Sequence, residues 1–83
     1  MGQKLTWHAD AGHAWLEVSI IELKRLGIAH KISGYSYRGV NKAYLEEDCD
    51  AGLFIRAAGI DPRQIAEVYD GDSSPIRAFE SYK

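Results

Sequence analysis

An α+β domain of order ββα-ββα-ββ is predicted for this 83-residue chain, with a mainly antiparallel sheet and two short helices on one face. Three observations predict it. Trp15-Leu16-Glu17-Val18-Ser19, running to Leu26-Gly27-Ile28, is echoed by Tyr44-Leu45-Glu46-Glu47-Asp48, running to Ala58-Gly59-Ile60. Both helix patterns carry local start and stop signals. Between them lie alternating segments bounded by turn residues. One domain over 1–83 is expected, with repeat units at about 4–28 and 32–60 and a C-terminal hairpin over 65–82.

Leu5–His8 and His13–Val18 alternate as strands around Ala9-Asp10-Ala11-Gly12. A four-residue loop there pairs His8 with His13, Thr6 with Trp15, Leu5 with Leu16 and Lys4 with Glu17. Leu5, Trp7, Leu16 and Val18 then face the core, and Lys4, Thr6, His8, His13, Trp15 and Glu17 face away. Ser19-Ile20-Ile21-Glu22 has the form of a capping box, with Val18 and Leu23 at the hydrophobic-staple positions. Gly27 suits the left-handed position that ends a helix, with Ile28 set to touch Leu23.

The second unit is expected to run as a strand from Ile32 to Arg38, turn near Gly39-Val40-Asn41 and return through Lys42 to Glu46. This register pairs Tyr35 with Tyr44 and Tyr37 with Lys42. Asp48 or Asp50 is placed to cap the second helix. Ala51 to Ala58 should be well buried, and Gly59-Ile60 repeats the stop before Asp61-Pro62. Ile65–Tyr69 and Ile76–Tyr82 are expected to pair as a third hairpin around Asp70–Pro75.

Hydrophobic residues make up 46% and aromatics 11%, enough for one packed core and against disorder. No apolar run approaches the roughly 20 residues of a membrane span, and no signal-peptide pattern opens the chain. The one cysteine excludes an intramolecular disulfide and fits a reducing compartment, so a cytoplasmic setting is expected. The net charge of −2 covers an asymmetry: residues 1–42 carry six Lys/Arg against three Asp/Glu, and residues 43–83 carry four against nine. A nucleic-acid binder is more often basic overall; the acidic half suits a protein partner with a basic surface.

Catalytic and metal patterns are weak. His8, Asp10 and His13 gather near a hairpin tip, but a structural zinc site needs four ligands, and nothing in the spacing brings His30 or Cys49 close. Cys49 reads as a small buried residue at a helix start. Neither Glu46–Asp50 nor Asp70-Gly71-Asp72 extends into a calcium loop, and phosphate-loop, zinc-protease and hydrolase motifs are missing. No catalytic residue, cofactor or metal is therefore expected.

The expected site is the sheet face away from the helices. Trp15, Tyr35, Tyr37 and Tyr44 would anchor a partner there, because such rings combine contact area with a polar tip. Glu46, Glu47, Asp48 and Asp50 would pair with its Lys or Arg.

Trp7-His8, Gly12 through Val18, Tyr35-Ser36-Tyr37 and Tyr44 through Ala51 resemble small uncharacterised proteins of bacterial phages and plasmids, over roughly residues 5–58. Such mobile-element proteins are similar in size and style to anti-CRISPR proteins, a group that shares no motif, so no residue role carries over. The resemblance implies a non-catalytic inhibitor that occupies a nucleic-acid-binding surface of a bacterial protein or nucleoprotein complex. Two alternatives stand beside it: a nucleic-acid binder that stacks bases on the sheet face, and a self-associating module that forms a homodimer through that face.

Overall fold

A computed structural model describes residues 5–83 and has the α+β architecture expected. The strands are β1 (Thr6–Ala9), β2 (Ala14–Ser19), β3 (Tyr37–Arg38), β4 (Lys42–Glu46), β5 (Ala66–Tyr69) and β6 (Glu80–Ser81). They form one sheet in the order β5-β1-β2-β4-β3-β6. The helices are α1 (Ile20–Arg25) and α2 (Asp50–Ala58). Leu16 and Val18 of β2 and Ala43 and Leu45 of β4 join Leu23 of α1 and Ala51 and Phe54 of α2 in one buried cluster. Both helices therefore pack on the same face, and alternation along the two central strands explains why.

Each hairpin register differs from expectation by two positions. His8 lies opposite Trp15 and Trp7 opposite Leu16, so Asp10–His13 form the loop, closed by the Asp10 N–H on the His13 carbonyl at 2.8 Å. Tyr37, not Tyr35, lies opposite Tyr44, and Val40-Asn41 form the tip of that hairpin. A displacement of two leaves every side chain on its expected face. The expected pairing of Lys4 with Glu17 falls outside the described residues.

Three elements depart from the sequence expectation. The strand expected from Ile32 shrinks to Tyr37–Arg38, after a 3-10 turn at Ala29–Lys31 and a bend through Ser33–Ser36. The cause is Asp50. Its buried carboxylate accepts from the Ser33 N–H at 3.0 Å, the Ser33 hydroxyl at 2.7 Å and the Ser36 hydroxyl. Asp50 thus binds the loop in front of α2 and does not cap its own helix. Cys49 occupies the cap position without a side-chain bond to the helix. Ser19 occupies the cap position of α1, but its hydroxyl makes no cap bond among the described residues, and Glu22 pairs with Arg25. The C-terminal stops form as expected: Gly27 and Gly59 have φ of 73° and 67°, and Ile28 and Ile60 donate back to Leu23 and Ile55.

The third hairpin does not form. β5 pairs in parallel with β1 at one edge, and β6 pairs with β3 at the opposite edge. The chain between them, residues 70–79, crosses the sheet face away from the helices and contains a 3-10 turn at Pro75–Ala78, capped by the Ser74 hydroxyl on the Ile76 N–H. Asp50→Ala is expected to cost about 3 kcal/mol by stranding two serine hydroxyls, which lowers Tm by more than about 10 °C in a domain this small. Ser19→Ala should stay within about 0.5 kcal/mol; thermal and urea unfolding of both variants tests the contrast.

Candidate functional site

The crossing strap divides the second face of the sheet. Asp10 holds it down. The Asp10 side chain accepts from the Gly12 and His13 N–H groups in its own loop, each at 2.9 Å. From the strap it accepts the Ser74 N–H at 2.8 Å, Arg77 Nε at 2.6 Å and Arg77 Nη2 at 2.9 Å. The Arg77 guanidinium, then the Ser74 N–H, hold the Asp10 carboxyl well below the usual carboxylate range. Asp10 in turn raises the Arg77 pKa.

Arg77 also lies over Trp15, 5.2 Å from the ring centroid. Trp15 points away from the helices, as its position on β2 requires, but only 2% of it is exposed. The expectation of an exposed Trp15 is thereby corrected: the strap covers it. Its indole N–H is buried without an acceptor among the described residues. Asp50 is corrected in the same way, being buried beneath the serine loop. Tyr44 is half-buried, 6.1 Å from His8 and 5.1 Å from Phe79 of the strap. Burial, and then the Glu17 carboxylate, push its hydroxyl pKa up.

Beside the strap the face opens into a cleft of about 390 Å³. Trp15 and Tyr37 form its aromatic wall, edge to face with centroids 6.2 Å apart. Tyr35 lies at the lip, 76% exposed, on the loop that Asp50 bends. His13, Glu46, Cys49 and Arg77 complete its lining. The exposed Glu47 and Asp48 continue from Glu46, whose carboxylate accepts from the Asp48 N–H at 2.9 Å. Among the described residues, none of Glu46, Glu47 and Asp48 has a Lys or Arg within ion-pair distance. The cleft therefore combines aromatic area with carboxylates that have no Lys or Arg partner among the described residues.

Of the eight residues expected at the site, Trp15, Tyr35, Tyr37 and Glu46 meet at this cleft; Glu47 and Asp48 adjoin it, and Tyr44 and Asp50 lie elsewhere. His13, expected on this face but not as a site residue, borders it, and Cys49 and Arg77 border it without having been expected there. Cys49 is exposed, not buried. The histidine cluster separates: His8 bonds Glu17 at 2.8 Å, Asp10 is taken by Arg77, and His13 turns toward Glu46 and Asp48.

The chain matches no protein-family model, no curated protein and no solved structure. No functional residue is transferred to it from another protein, and the resemblance to mobile-element proteins adds none.

Asp10 gives the clasp a definite pH dependence. A carboxyl held ionised in the fold binds fewer protons than in the unfolded chain, so its stabilisation is complete above the unfolded pKa of about 3.9 and fades as pH falls below it. The difference in unfolding free energy between the native chain and Asp10→Asn should be constant above about pH 5 and narrow steadily toward pH 2.5. Denaturant titrations across that range measure it, and a gap independent of pH would contradict the assignment.

Proposed function

We propose that this chain is a non-catalytic protein-binding module whose working surface is the cleft edge formed by Tyr35, Tyr37 and the Glu46–Asp48 ridge. The observation that carries this reading is an exposed tyrosine beside carboxylates that no cation of the described residues neutralises. A tyrosine at a cleft lip supplies contact area at low entropic cost. Free carboxylates beside it select a Lys- or Arg-rich partner and speed its approach. A cleft of about 390 Å³ has room for one or two partner side chains. The narrower form is an inhibitor of a bacterial defence complex, in which the ridge takes the place of nucleic-acid phosphates on a basic surface. The same negative ridge opposes direct nucleic-acid binding.

Purified bacterial RNA-guided nuclease complexes, with and without nucleic acid loaded, provide the test by surface-based binding. Tyr35→Ala and the pair Glu47→Lys with Asp48→Lys should each weaken binding at least about tenfold while leaving Tm unchanged. Trp15→Ala should instead lower stability by about 3–5 kcal/mol, the usual loss for a buried tryptophan. Salt-dependent gel shifts with nucleic acid alone, or a dimer in light scattering that Tyr35→Ala dissociates, would replace this function with one of the alternatives.

A further inference from the structure

We propose that His13, Glu46 and Asp48 form a binding site for a divalent transition metal of the Zn²⁺ class. One donor atom from each of the three side chains lies within 4.8 Å of the other two. The donors come from two distant stretches of chain that the backbone brings together. Trp15 pairs with Glu46 across β2 and β4, and the Glu47 N–H donates to the Ala14 carbonyl at 3.1 Å, which seats the hairpin tip against the 46–48 turn. That turn is itself closed by the Cys49 N–H on the Glu46 carbonyl at 3.2 Å.

The donor set chooses the metal. An imidazole with two carboxylates suits Zn²⁺ or Co²⁺, whereas Ca²⁺ and Mg²⁺ require all-oxygen shells of higher coordination number. Bonds of about 2.0–2.2 Å to a tetrahedral ion place donors roughly 3.3–3.6 Å apart. His13 and Asp48 are both exposed, which leaves their side chains free to turn toward a shared ion. A cation would also balance Glu46 and Asp48, which have no Lys or Arg partner among the described residues. Three protein donors leave a coordination position for water or an incoming group, beside the cleft that His13 and Glu46 line with Cys49. The expectation of no metal weighed His13 with His8 and Asp10, and the Glu46–Asp50 run separately as a calcium loop; the fold joins His13 to part of that run. The site shares Glu46 and Asp48 with the protein-binding ridge but does not rest on that reading, and its own experiment decides it.

That experiment is calorimetric titration of Zn²⁺ into the full chain near neutral pH, with Co²⁺ absorption as a second readout. One equivalent should bind. His13→Ala and Asp48→Asn should each weaken it at least about tenfold, with melting curves of the metal-free variants unchanged because both side chains are exposed. His30→Ala, on an exposed residue of the Ala29–Lys31 turn, should bind as the native chain does. Failure of the native chain to bind Zn²⁺ or Co²⁺ overturns the proposal, as does binding that survives both variants or is lost only in Cys49→Ser.

Discussion

The clasp between Asp10 and the strap decides what the second face of this protein is. Antiparallel pairing and the apolar stripes of two short helices build the first face, which needs nothing from residues beyond β5 except Tyr82, packed at its edge. The second face is different. It carries Thr6, His8, Trp15 and Glu17 from the first hairpin, and Arg77 of the 70–79 segment joins Tyr37 and His13 in covering Trp15. One carboxylate joins the loop after β1 to residues more than sixty positions away. Because that carboxylate satisfies loop N–H groups as well, the loop and the strap order one another.

Ordering of the strap propagates to the cleft. Arg77 is held by Asp10 and lies over Trp15, and Trp15 stands edge to face against Tyr37. The cleft wall is therefore backed by a charge-assisted contact and not by the main core. Its lip has a separate support: Asp50 bends the Ser33–Ser36 loop that presents Tyr35. Two buried aspartates, one on each side of the sheet, thus position the two halves of one surface. Both lie among residues that sequence patterning assigns to turns and caps.

The sequence made the first face legible because its information is local and periodic. Strand alternation has a period of two, so misplacing each hairpin by two residues still put Leu16, Val18, Ala43 and Leu45 on the helix side. Gly27-Ile28 and Gly59-Ile60 are stop signals whose meaning is contained in adjacent residues. The caps were less transparent. Ser19-x-x-Glu22 and the run Asp48–Asp50 have capping form, yet Glu22 turns to Arg25 and Asp50 to two serines, since a carboxylate takes whichever donors the tertiary fold brings closest.

The C-terminal third was misread for a related reason. Asp70-Gly71-Asp72-Ser73-Ser74-Pro75 has the composition of a hairpin turn, and local pairing is the default for two short alternating segments. What sends β5 and β6 to opposite edges is non-local. β1 offers an open edge to β5, β3 offers another to β6, and Asp10 binds the chain between them. Ser74-Pro75 serves as the start of a 3-10 turn, with the serine hydroxyl on the Ile76 N–H. The candidate site inherits this difficulty. His13 meets Glu46 and Asp48 only because β2 and β4 are neighbours in the stated register, and Arg77 reaches Trp15 only because the strap crosses. Residue types were legible in the chain; their company depended on two long-range pairings that no spacing in the sequence encodes.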